Sequence, residues 1–137
     1  MTSTPIRVLL VDDDEDDYII VRDLFREIGT HRYILDWCDH FDDAIDIIFK
    51  GEHDVYLLDY RLGAQNGIDL LKQAQTEGCN APIILLTGEN ANEVDLLAMR
   101  AGAEDFLSKG ELNARQLERS IRYAIERKRA ELEIQKL

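Results

Sequence analysis

The chain has 137 residues, 45% hydrophobic and 32% charged, with 16 basic against 28 acidic residues and a net charge of −12. That length suits one globular domain, and the composition excludes a disordered or collagen-like chain. The acidity argues against direct nucleic-acid binding, no apolar run nears the ~20 residues of a membrane span, and the opening residues do not read as a signal peptide.

The first strong element is the apolar run Ile6 to Val11. Runs of this length, rich in Val, Ile and Leu and without alternation, suit strands buried on both faces of a parallel sheet. Asp14, Glu15, Asp16 and Asp17 then read as an acidic helix start, where carboxylates cap free N–H groups and favour the dipole. Val21, Leu24, Phe25 and Ile28 follow at helical spacing. Tyr33 to Trp37 is a weaker strand, followed by a helix on Phe41, Ala44, Ile45 and Ile48. Val55 to Leu58 is the third strand, and Ile68, Leu71 and Ala74 mark the third helix, entered through a turn at Asn66-Gly67. Ile83 to Leu86, a helix from about Asn92 to Ala101, and the strand Asp105 to Ser108 complete the series. A last helix, capped at Asn113, is expected to run to the end of the chain over about 35 Å. This is β-α five times over, which predicts a three-layer α/β domain with a parallel sheet and right-handed crossovers.

Charge divides unevenly. From Ala114 onward the tail is +3, while the first 113 residues carry −15. We expect a domain over residues 1–125 and a linker-like extension of the last helix over 126–137; no sustained heptad supports a coiled coil. Cys38 and Cys79 read as free thiols of a reducing cytosol, and the scattered His31, His40 and His53 as surface or loop residues.

The acids fall where chemistry is expected. Asp12 and Asp13 follow the first strand directly, and Asp59 follows the third. In an open parallel sheet the ligand crevice lies beyond the carboxyl ends of the strands. If these strands are neighbours, three carboxylates converge and repel one another unless a cation sits among them. Oxygen ligands with few carboxylates suit Mg2+ better than Ca2+, and no nearby His or Cys favours zinc. The fourth and fifth strands end in Thr87 and Lys109. A metal, an ammonium, a hydroxyl and a carboxylate nucleophile are the parts that phosphoryl transfer to Asp requires.

At these residues the sequence resembles a known family. Val-Leu-Leu-Val-Asp-Asp-Asp (8–14), Leu-Leu-Asp-Tyr-Arg-Leu (57–62), Leu-Leu-Thr-Gly (85–88) and Ala-Gly-Ala-Glu-Asp-Phe-Leu-Ser-Lys (101–109) look like the receiver domain of two-component response regulators, over about residues 6 to 125. The resemblance implies a flavodoxin-like sandwich with strand order 2-1-3-4-5 and five helices. It implies Asp59 as phosphoacceptor, Asp12 and Asp13 with Asp59 and the Arg61 backbone carbonyl as Mg2+ ligands (Mn2+ as an alternative), Thr87 as switch hydroxyl and Lys109 as phosphoryl contact. Phe106 would follow the switch through packing alone, having no hydroxyl, and Gly88, Glu89 and Arg61 stand at switch and tuning positions. We expect Arg61 and Glu89 to pair across the pocket mouth. The partners implied are a sensor histidine kinase or a histidine phosphotransfer protein, with a homodimer through the last helices and a downstream output domain as further expectations. The location implied is cytoplasmic.

Two positions depart from the family pattern. Gly110 stands where Pro usually follows the lysine through a cis peptide, so either a cis bond costing about 2.5–4 kcal/mol or a trans bond with a reshaped loop is expected. Gly63 stands where Pro usually lies four residues after the acceptor, which predicts a looser loop. The competing reading, a Mg2+-dependent phosphohydrolase, lacks a second carboxylate beside the acceptor, since Tyr60 and Arg61 follow it. A receiver-like module without phosphorylation is disfavoured by the intact five-residue set. The chain is therefore read as a signalling phosphoacceptor that assists its own phosphorylation and dephosphorylation, rather than as a turnover enzyme.

Overall fold

The computed structural model describes residues 4–29, 32–62, 65–88 and 101–137. Five strands, β1 (Ile6–Val11), β2 (Tyr33–Cys38), β3 (Val55–Asp59), β4 (Ile83–Thr87) and β5 (Asp105–Ser108), form one parallel sheet in the order 2-1-3-4-5. The apolar runs set this arrangement. Alternate side chains of each strand enter opposite faces, so a run without polar interruption is stable only when both faces are covered.

Leu9, Val11, Tyr56, Leu58, Ile83 and Leu85 pack beneath α2 (Phe41–Lys50) and α3 (Gly67–Thr76). Val8, Leu10, Val55, Leu57, Ile84 and Leu86 pack beneath α1 (Glu15–Ile28) and the long α4 (Ala114–Gln135). Removing a large side chain from either layer, as in Leu57→Ala, is expected to cost about 2–5 kcal/mol.

Four α-helices are present among the described residues. The expected helix from about Asn92 to Ala101 lies, as far as residue 100, outside them. A short antiparallel hairpin (Arg61–Leu62 with Gln65–Asn66), not foreseen from the sequence, follows β3. Helix α4 begins at its expected cap, where the Asn113 side chain accepts a hydrogen bond from Gln116 N at 2.8 Å. Its 22 residues span about 33 Å. Leu117, Ile121 and Ala124 are its last deeply buried apolar contacts, and beyond Leu132 every residue is exposed.

Both cysteines are free thiols. His40 is exposed as expected, and His31 lies outside the described residues. Of the surface or loop roles expected for it, His53 takes the loop one, just before β3, but it is buried there, with Nε2 2.7 Å from Asp36 Oδ2 and its ring against Tyr56. The chain turns here into β3, and an imidazole with a carboxylate partner can be buried where an unpaired one could not.

Candidate functional site: an acidic pocket around a lysine

Strand register carries four functional side chains to one edge of the sheet. Asp12 follows β1, Asp59 ends β3, Thr87 ends β4 and Lys109 follows β5, with Asp59 opposite Leu86 and Thr87 opposite Ser108. All strands point the same way, so these termini share the carboxyl edge, and β1 and β3 are neighbours. The condition on which convergence depended is met.

Asp12 is fully buried. Its Oδ1 accepts from Asp14 N at 2.9 Å, and its backbone carbonyl accepts the Trp37 indole N–H at 2.7 Å. Trp37 is clamped in turn by Tyr18, stacked at 4.6 Å with a 7° tilt. Asp12 Oδ2 makes no hydrogen bond; Lys109 Nζ faces it at 3.0 Å as a charge contact only. The same ammonium lies 2.9 Å from Asp59 Oδ1 and 2.6 Å from Asp17 Oδ2.

Asp12, Asp17 and Asp59 each offer a carboxylate oxygen within 4.8 Å of the others. Asp17 was read only as a helix-start acid. It belongs to the first turn of α1, but it also stands four residues before buried Val21 and eight before buried Phe25. That places it on the buried stripe of the helix, a signal legible in the spacing. Asp14 does cap the helix, accepting from Asp16 N at 2.9 Å. Asp13, between the pocket residue and the cap, is exposed and outside the three-carboxylate group.

Desolvation dominates the electrostatics. Burial pushes the Asp12 carboxyl up to about 7, against its hydrogen bond from Asp14 and the nearby ammonium. Asp59 is likewise raised by burial, with Lys109 and a backbone hydrogen bond from Arg61 pulling the other way. Burial works against the Lys109 ammonium, but its bonds to Asp17 and Asp59 and the field of Asp12 outweigh it and raise the lysine above its ordinary value. Three carboxylates against one ammonium leave a net deficit of positive charge. That deficit and the orphaned Asp12 Oδ2 suit a hard dication with oxygen ligands.

Around this centre, Thr87 is buried and its hydroxyl donates to the Leu107 carbonyl at 3.5 Å, a long bond. Phe106 is half-buried against the core on the α2–α3 side. Gly88 and Arg61 are exposed, while Glu89 lies outside the described residues, so the expected Arg61–Glu89 pair does as well. Of the two alternatives after Lys109, the bond is trans: no cis peptide occurs among the described residues, and Lys109–Glu111 form a 3-10 turn. Asn66 caps α3 through Asp69 N at 2.9 Å. Gly67 is required there, because a Cβ would collide with the Asp59 carbonyl.

Cavity size does not mark this site. A cleft of about 480 Å³ lies at the opposite end of the sheet, between His53, Cys79, Pro82 and Lys128, and contains none of these acids.

A 2-1-3-4-5 parallel sheet with acids, a hydroxyl and a lysine at its carboxyl edge defines a flavodoxin-like α/β domain built around an anionic pocket. Residues 8–122 match the response regulator receiver domain family, and the chain belongs to it. It is thus a receiver domain of two-component response regulators, a family of signalling phosphoacceptors.

The chain is 28% identical over 105 residues to the response regulator MprA of Mycobacterium sp. (strain KMS), covering 77% of this chain and 44% of that protein. It is 30% identical over 104 residues to Protein RcaC of Microchaete diplosiphon, covering 76% of this chain and 16% of that one. It therefore spans less than half the length of these curated relatives. Among solved structures, the signal receiver domain of a modulated diguanylate cyclase from Desulfovibrio desulfuricans G20 is similar at a TM-score of 0.79, with 28% identity and coverage of 93% and 99% of the two chains. A CheY-like receiver domain protein from Methanospirillum hungatei JF-1 shares the fold at a TM-score of 0.79 and 23% identity, with the same coverage. No described helix is long and apolar enough to cross a membrane.

Proposed function

We propose that Asp59 is the residue of this chain that accepts the phosphoryl group, from a phosphohistidine of a sensor kinase or phosphotransfer protein, or from a small acyl phosphate. The observation that carries this reading is the lysine ammonium held at 2.9 Å from Asp59 Oδ1 and 3.0 Å from the buried Oδ2 of Asp12. Asp12, Asp13 and Asp59, with the Arg61 backbone carbonyl, are the oxygen donors for Mg2+, with Mn2+ as the alternative ion. When bound, the ion offsets charge on the phosphoryl oxygens and steadies them for in-line transfer.

An Asp59 carboxylate oxygen attacks phosphorus, the bond from phosphorus to the donor nitrogen breaks, and the imidazole leaves with a proton from solvent. Lys109 pairs with one phosphoryl oxygen. Thr87 exchanges its long bond to Leu107 for another, drawing on a contact weak enough to give up. An acyl phosphate adds about one negative charge and three acceptor oxygens at this edge. Thr87 and β5 are the elements biased by that change, with Phe106 repacking beside them. Hydrolysis of the acyl phosphate in the same pocket resets the domain.

Residues 1–125 form the receiver, and 126–137 extend its last helix as a linker toward an output domain, in keeping with a match that covers only 44% of the relative MprA. We assign the protein to the cytoplasm, where kinase and phosphodonor are met, with association of two copies through the last helix as a further property. Incubation with Mg2+ and acetyl phosphate, read by intact mass, tests the reading. Wild type should gain one phosphoryl group and Asp59→Asn none; equal labelling of both overturns it.

A further inference from the structure

Asp17 makes the shortest contact to the pocket lysine, and no part of the activity described above uses it. Its Oδ2 accepts a hydrogen bond from Lys109 Nζ at 2.6 Å, while the ammonium lies 2.9 Å from Asp59 Oδ1 and 3.0 Å from Asp12 Oδ2. The backbone does little to aim this lysine. Lys109 opens a 3-10 turn that has no buried residue, and the next position, Gly110, is exposed and has open space around its Cα. Four freely rotating side-chain bonds separate the ammonium from that loosely packed turn. The side chain is nevertheless only 21% exposed, and its tip is held from two sides of the pocket.

Asp12 and Asp59 are the two partners whose oxygens turn to the ion and the phosphoryl group once these arrive. Asp17 is the partner left. It is fixed on α1, whose inward face is pinned by Val21 and Phe25, so it presents a rigid counter-charge.

Resting on the phosphoacceptor reading above, we propose that Asp17 is a positioning residue: it holds the Lys109 ammonium beside Asp59, so that the lysine meets an incoming phosphoryl group already aimed. An ammonium carries three protons. One N–H stays hydrogen-bonded to Asp17 while the N–H facing Asp59 Oδ1 turns its hydrogen bond to a phosphoryl oxygen; the lysine keeps all three protons and no covalent bond changes. Electrostatic preorganisation of this kind spares the reorganisation that a free lysine would need.

A double-mutant cycle on the full chain tests it. Beryllofluoride in saturating Mg2+ serves as the phosphoryl probe, with bound fraction read by 19F NMR. In the Lys109 background, Asp17→Asn should weaken beryllofluoride binding about tenfold, the scale of one charged hydrogen bond. In the Lys109→Met background, the same change should weaken it by less than about twofold, the limit of additivity error. Should Lys109→Met fail to fold, Lys109→Gln supplies the same background.

Equal losses in the two backgrounds would mean that Asp17 acts as an ion ligand, a general field or a helix-start acid, and would overturn the proposal. So would unchanged affinity in Asp17→Asn. Wild type that takes up no beryllofluoride at all would reject the phosphoacceptor reading itself, a result distinct from either.

Discussion

Lys109 acts as the built-in counter-ion of a pocket that is otherwise a cluster of buried negative charge. Replacing it by Met keeps an unbranched apolar stem one atom shorter and removes the charge. The three carboxylates within 4.8 Å would then face one another without a cation. Breaking a buried ion pair by removing one partner costs about 3–5 kcal/mol. Here the loss is softened, because Asp12, already raised to about 7, takes up a proton in place of the ammonium. A net loss of about 2–3 kcal/mol at pH 7 follows, or roughly 10 °C in Tm for a domain of this size.

The assay is thermal unfolding in EDTA and again in Mg2+. A dication present at ~100 times its Kd adds about 2.7 kcal/mol. The variant should gain more than wild type at a given Mg2+ concentration, since no ammonium competes for the carboxylates. Equal stability of the two proteins in EDTA, or a larger Mg2+ gain in wild type, would refute the idea that lysine and ion share one charge deficit.

Three further outcomes are expected. Because the folded carboxyl of Asp12 is raised from 3.8 to about 7, its contribution to stability is present below pH 4 and is lost as pH rises through 7; Mg2+, which needs the carboxylate, should bind more weakly as pH falls below about 7, as a calorimetric titration series would record. Gly67→Ala should cost about 1–3 kcal/mol by denaturant unfolding, because the added methyl must displace the Asp59 carbonyl. Trp37→Phe removes the donor to the Asp12 carbonyl and should cost about 1 kcal/mol, measured the same way. Replacing exposed Tyr123 by Phe gives the unchanged reference for both.

Much of this molecule is legible residue by residue. The spans of β1 and β5 match the expected runs, and α4 starts after Asn113 where the cap was read. Those features are local: an uninterrupted apolar run has one stable environment, and a cap satisfies N–H groups only a turn away. The site was legible in part for the same reason, since Asp12 and Lys109 stand directly after a strand and Asp59 and Thr87 are the last residues of one. Asp17 was obscured by its neighbours, as Glu15 and Asp16 are chemically equivalent to it and only helix phase separates them. His53 does lie in a loop, but its burial was hidden, because its partner, Asp36, lies 17 residues away on β2. Trp37 was placed in a strand, but its hold on the Asp12 carbonyl could not be read from strand pattern.

What the sequence settled by itself was the class of chemistry, because strand periodicity and strand-end residues depend on nothing beyond their own segment. Tertiary structure alone decided which carboxylates share the ammonium, bringing Asp17 into the group and leaving Asp13 at the surface. Helix spacing puts Asp17 on the buried stripe of α1, but its meeting with Lys109, 92 residues away, depends on how α1 packs against the sheet, a relation between segments that no single stretch of chain encodes.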